Sequence, residues 1–128
     1  MIRVMVFGTF DGLHAGHLSY FQQAKKYGDH LTAVVALDEN VAKFKGRQPK
    51  FSQTERLEAV KACGLVDEAI LGGKKIFDIL DKRKPDVACL GYDQQTSVNE
   101  LQQLFPNIKI VRLKPYRPKK YKSSLLNQ

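Results

Sequence analysis

Val4-Met5-Val6-Phe7-Gly8-Thr9-Phe10-Asp11-Gly12-Leu13-His14-Ala15-Gly16-His17 is an apolar run, a glycine-bearing turn and two histidines in succession. The run at 4–7 reads as a first strand and the residues after His17 as an amphipathic helix, so the turn lies where one hands over to the other. In an open α/β sheet that handover opens on the crevice where phosphates bind. Free backbone N–H groups and the positive end of the helix dipole favour an anion there. His14 and His17, three residues apart, can face it from the first helical turn. A lone histidine near a helix start is commonly a cap or a surface residue. Two of them bracketing a glycine exceed what the turn needs, which is little more than Gly or Asn.

Two other chemistries fit the turn less well. His14 and His17 could share a zinc ion, but no third His or Cys lies nearby in sequence, and Cys63 and Cys89 lack C-x-x-C spacing. The dinucleotide spacing G-x-G-x-x-G is absent, although the strand, loop and helix context is right.

The rest of the chain repeats this alternation. Strands are predicted near 2–7, 31–37, 67–71, 86–90 and 108–113, with helices near 17–27, 53–63, 75–83 and 97–104. The strands are short and apolar on both faces, as Leu31-Thr32-Ala33-Val34-Val35-Ala36-Leu37 illustrates, which is expected when helices cover both sides of a parallel sheet. The fold class is therefore α/β, a doubly wound parallel sheet of about five strands in one domain spanning 1–128. Ser52 with Glu55 forms a capping box before the second predicted helix, and Gly64 suits its stop; Gly28 is given the same stopping role after the first. In such a sheet the carboxyl ends of the strands share one edge, so loops starting at Gly8, Asp38, Gly91 and Lys114 meet in one crevice.

Bulk properties fit a small soluble enzyme. The 128 residues suffice for a single core, and 43% are hydrophobic. No apolar run approaches the ~20 residues of a membrane span, and the chain enters a strand without a signal peptide, so a cytosolic location is expected. Cys63, late in a helix, and Cys89, inside a strand, read as buried thiols rather than a disulfide. The net charge of +8 is concentrated in two acid-free segments, 43–50 with Lys43, Lys45, Arg47 and Lys50, and 113–128 with Lys114, Arg117, Lys119, Lys120 and Lys122. Neither forms a long helical stripe, and aromatics interleave weakly. A triphosphate and a phosphorylated acceptor explain them better than nucleic acid does. Residues 114–128 read as an irregular basic arm within the domain.

The segment ending His14-Ala15-Gly16-His17 resembles the H-x-G-H signature of the cytidylyltransferase-like nucleotidyltransferases, which join a nucleoside triphosphate to a phosphorylated acceptor and release pyrophosphate. The likeness extends through Gly28-Asp29, Asp38-Glu39, Thr54-Glu55-Arg56, Val66-Asp67-Glu68 and Leu90-Gly91-Tyr92-Asp93-Gln94, over essentially the whole chain. It implies a Rossmann-like nucleotidyltransferase fold. By that resemblance His14 and His17 contact the triphosphate and stabilise the transition state, with Lys43 or Lys45 neutralising the phosphates. Gly8, Thr9, Phe10, Gly16, Gly91, Asp93 and Gln94 fall on the nucleotide side, and Lys122-Ser123-Ser124 matches a terminal motif that clamps the triphosphate. Asp11, Asp38 and Arg56 fall on the acceptor side, with Asp11 also suited to completing the turn and Arg56 to a surface ion pair. No metal-ligating set is expected; Mg²⁺ is to bridge the phosphates.

Within the family, Gly91-Tyr92-Asp93-Gln94, the loop Lys45-Gly46-Arg47-Gln48-Pro49 and the hydroxyl pair of the tail are similar to the small archaeal-type FAD synthases, which transfer AMP from ATP to FMN. Glycerol-3-phosphate cytidylyltransferases instead carry a Gly-Asp-Asp-Trp turn, and this chain has no Trp. An adenylyltransferase using ATP and FMN is therefore favoured. A cytidylyltransferase using CTP and a small phosphorylated alcohol stays open, as does a non-catalytic nucleotide or nucleic-acid binding module. Relatives are often homodimers, but no stretch of this sequence marks an interface.

Overall fold

Alternation along β1 (Arg3–Gly8) sets up a core on both faces of the sheet. Val4 and Val6 point to one side and Met5 and Phe7 to the other, all buried. The computed structural model describes residues 1–91 and 96–115. Through them run α1 (Ala15–Lys25), β2 (His30–Val35), α2 (Asp38–Lys45), α3 (Gln53–Ala62), β3 (Glu68–Leu71), α4 (Ile76–Arg83), β4 (Val87–Leu90), α5 (Val98–Leu104) and β5 (Lys109–Arg112). The five strands pair in parallel in the order β3-β2-β1-β4-β5.

Phe21 and Ala24 of α1 and Val60 of α3 pack with Val4 and Val6 on one face, while Leu80 of α4 and Leu101 of α5 pack with Met5 and Phe7 on the other. This is the doubly wound arrangement expected from the two-sided apolar strands. Because the strand order reverses at β1, the carboxyl ends of β1 and β4 diverge and leave a crevice. Tyr20 of α1 sits beneath that split, its hydroxyl 3.0 Å from the Phe7 carbonyl oxygen and 3.1 Å from that of Cys89.

Two local expectations are corrected. The segment after β2 is not a loop: Asp38–Lys45 forms α2, closed by Gly46 at φ 71°. Gly28 is not a left-handed stop either. A β-carbon there would lie 2.7 Å from the Ile2 carbonyl oxygen and 2.7 Å from Val4 Cγ2, so glycine is required by close packing on β1. Gly64, at φ +77° just past α3, does take the left-handed conformation, and Ser52 and Glu55 form the predicted capping box.

Both cysteines are free thiols, Cys89 buried and Cys63 half-buried. Burial pushes the Cys89 thiol up to about 12, against a small opposing pull from Lys109. In the native protein at neutral pH, iodoacetamide is expected to modify Cys63 first and to leave Cys89 untouched until unfolding. Peptide mass mapping checks this, and early labelling of Cys89 would contradict its burial. Among the described residues no helix is long and apolar enough to cross a membrane.

Candidate active site

The turn after β1 is built around Phe10. Its backbone takes φ 55°, unusual for a side chain with a Cβ, and this turns the chain so that the ring drops into the core with 2% exposure. There it meets Phe21 at 5.2 Å and, edge to face, His17 at 5.6 Å between ring centroids. Gly8 makes room for it, since a β-carbon at that position would come within 2.8 Å of Phe10 Cζ. Gly12, at φ +88°, completes the turn and donates its N–H to the Phe10 carbonyl. Phe10 thus serves the crevice from below, as the floor on which His17 rests.

His14 and His17 come together at the start of α1. His14 is its N-cap, so the helix begins two residues earlier than the periodicity predicts. His14 Nδ1 accepts the Gly16 N–H at 3.0 Å, and His17 Nδ1 accepts the His14 N–H at 3.3 Å. The two rings stack with centroids 4.0 Å apart. Since each Nδ1 accepts a backbone N–H, the tautomer that fits these bonds carries its proton on Nε2 in both rings. The signature therefore carries an Nε2–H on each of two stacked rings, oriented by the same bonds that cap the helix. Gly16 enters as the residue whose amide fixes His14.

Arg56 of α3 holds this turn from behind. Its guanidinium is fully buried and donates from Nη1 to the Thr9 carbonyl at 2.8 Å, from Nε to the Phe51 carbonyl at 3.0 Å, and from Nη2 to Asp38 Oδ1 at 2.7 Å. This corrects the expectation that Arg56 reaches for the acceptor or lies in a surface pair: it is a strut joining β1, α2 and α3. Asp38, at 35% side-chain exposure, is likewise anchored by the strut. Gln53 adds a second tie, accepting the Asp38 N–H at 2.9 Å.

Asp11 accepts the Lys50 N–H at 2.8 Å and the Phe51 N–H at 2.9 Å, so the signature turn is fastened to the basic segment some forty residues away. Partial burial on its own would raise this carboxyl. The two amides, with the charges of Arg56 and Arg47, outweigh it and hold the group below the usual carboxylate range. Asp11 is thus an ionised acceptor at neutral pH, locked to the loop in front of α3.

Lys43 and Lys45 lie in the exposed last turn of α2. Two positions along a helix are about 200° apart, so they point to nearly opposite sides and at most one faces the crevice. On the β4 side, Arg112 donates from Nη1 to Gly91 O at 2.8 Å and from Nη2 to Thr96 O at 2.7 Å, bracketing the segment that leaves β4. Gln23 of α1 and Lys114 exchange two bonds of 3.0 Å, which fix the root of the basic arm against α1. The candidates Asp93 and Gln94, and Lys122, Ser123 and Ser124 with the rest of 116–128, lie outside the described residues. Arg112, Gln23 and Gln53 were not singled out from sequence; each works through a contact distant along the chain. Among the described residues no three His, Cys, Asp or Glu side chains converge as a metal cage, and Asp11 and Asp38 are each already bonded.

Residues 5–126 match the model of the family described as cytidylyltransferase-like. The chain belongs to the cytidylyltransferase-like family. A cytidylyltransferase-like relative from Pyrococcus horikoshii, called FAD synthase, is 41% identical over 93% of this chain and 84% of its own length. Another of the same name, from Thermoplasma volcanium, is 43% identical over 91% of this chain and 84% of its own. A solved structure from Thermoplasma volcanium, titled lipopolysaccharide core biosynthesis protein, superposes with a TM-score of 0.85 at 41% identity, covering 91% of this chain and 99% of that one. The pantoate-beta-alanine ligase of Francisella tularensis, at TM-score 0.68 and 17% identity, shares the fold. For a cytidylyltransferase-like chain, the paired histidine donors sit where the sheet order reverses, the place that Rossmann-like sheets give to nucleotides.

Proposed function

We propose that this chain is an FMN adenylyltransferase: it transfers AMP from ATP to FMN, forming FAD and releasing pyrophosphate. The observation that carries it is the match to FAD synthases at about 40% identity over more than nine-tenths of the chain, on a fold that holds both signature histidines at the switch point. In the reaction a phosphate oxygen of FMN attacks the α-phosphorus of ATP, and the bond to the β-phosphate oxygen breaks. Charge builds on phosphoryl oxygens, so fixed donors and cations carry the catalysis and no protein nucleophile is needed. The two Nε2–H groups donate to those oxygens, and a lysine of α2 adds positive charge. Asp11 and Asp38 line the acceptor side, with Arg56 keeping both in place. ATP enters as its Mg²⁺ complex, the ion held by phosphate oxygens and water.

The test offers the purified protein ATP or CTP against FMN or glycerol 3-phosphate in the presence of Mg²⁺, with products separated by chromatography. FAD from ATP and FMN is the expected product. CDP-glycerol would overturn the substrate assignment while leaving the family intact. Chelation of the divalent ion is expected to abolish turnover and added Mg²⁺ to restore it; turnover that resists the chelator would remove the metal from the scheme.

A further inference from the structure

Resting on the FMN reading above, we infer that the Phe51 ring is the platform on which the isoalloxazine of the acceptor stacks. Among the described residues Phe51 is one of the few large apolar side chains left open to solvent, at 44% exposure. Its position is nonetheless fixed. The Phe51 N–H donates to Asp11 and the Phe51 carbonyl accepts from the buried Arg56, so the backbone is clamped from both sides to the signature turn. The ring lies against that turn: a β-carbon built on Gly12 would be 3.6 Å from Phe51 Cε2. Gly12 is held at φ +88°, so no side chain from that position covers the ring.

An exposed aromatic side chain on a clamped backbone at a site edge is preorganised for a flat partner, because the backbone loses little further freedom on binding. Two observations choose the flavin over the adenine. The nucleotide crevice opens between β1 and β4, whereas Phe51 reaches the turn from the other side, from the segment that joins α2 to α3 beyond β2. Asp11 ties the Phe51 backbone to the turn that leads into the histidines, so a ring resting on Phe51 lies beside the turn whose residues are proposed to take the phosphates. FMN has this layout, with a planar ring separated by the ribityl chain from the phosphate that must attack. A small phosphorylated alcohol has nothing to place on such a surface.

The experiment compares wild type, Phe51→Ala, Phe51→Trp and the remote Phe77→Ala in steady-state FAD synthesis, with thermal melts alongside. Phe51→Ala is expected to raise KM for FMN about tenfold or more while KM for ATP and the melting temperature stay put. Phe77→Ala should match wild type. Phe51→Trp should keep the wild-type KM for FMN and quench bound flavin fluorescence beyond wild type, because an indole then lies against the ring. An unchanged KM for FMN in Phe51→Ala, a rise confined to ATP, or no added quenching in Phe51→Trp overturns the platform. If Phe51→Ala melts early, Phe51→Trp decides alone. A wild type that makes no FAD brings down the FMN reading itself; a wild type that makes FAD beside an indifferent Phe51→Ala brings down the platform only.

Discussion

Alanine at His17 is expected to lower kcat for FAD formation by about a hundredfold or more, the usual consequence of removing one preorganised donor from a transition state that gathers negative charge. The same change removes the acceptor of the His14 N–H, so some helix stability goes with it, about 1 kcal/mol. His14→Asn separates the two effects. Asparagine is a good N-cap and its side-chain oxygen can accept the Gly16 N–H, yet it carries no group at the place of Nε2. The melt of that variant should match wild type while its turnover falls as steeply as that of His17→Ala. Single-turnover rates with saturating ATP and FMN measure this directly, and wild-type rates in either variant would remove the histidines from the chemistry.

The second large effect belongs to Arg56. Substitution by methionine keeps much of the volume but leaves the Thr9 and Phe51 carbonyls without their donor and Asp38 without its cation. A loss of about 3 kcal/mol in unfolding free energy is expected, near the lower end for breaking a buried ion pair because Asp38 can still turn to water. Lysine at this position should be nearly as damaging, since a single ammonium cannot span three acceptors held in the plane of a guanidinium. Urea unfolding at unchanged slope measures it. A midpoint equal to wild type in Arg56→Lys would show that charge alone suffices and that the fork is not needed. Activity should fall in both variants, since the signature turn loses its rear support.

The five strands and four of the helices were legible because their apolar residues recur at the period of a buried parallel sheet and its covering helices. The turn at Gly8 to His17 was legible because glycines and histidines punctuate a strand-to-helix junction. The helix α2 was not, since Asp38–Lys45 buries only Val41 and has no side-chain cap at Leu37, which leaves little periodic signal in eight residues. The burial of Arg56 is hidden from the sequence for a related reason. An arginine in a charged helix reads as surface, and the three oxygens that justify its burial come from Thr9, Asp38 and Phe51, two of them far along the chain. The inward place of the Phe10 ring is hidden from the sequence, because the positive φ that sends it there leaves no mark in composition. What sequence spacing carries is local; the walls of this crevice are made by long-range bonds to backbone atoms.

The way the histidines are seated has a consequence for how the site divides its labour. Nδ1 of each ring is engaged as an acceptor by an amide of the turn, which ties ring orientation to the backbone. The first turn of α1 thus sets the helix start and the direction of both rings with the same two bonds. Direction and charge are accordingly assigned to different side chains. In the proposed reaction the rings contribute aim, set by the capped turn, and whichever α2 lysine faces the crevice contributes positive potential, so that recognition of geometry and neutralisation of charge fall to separate elements.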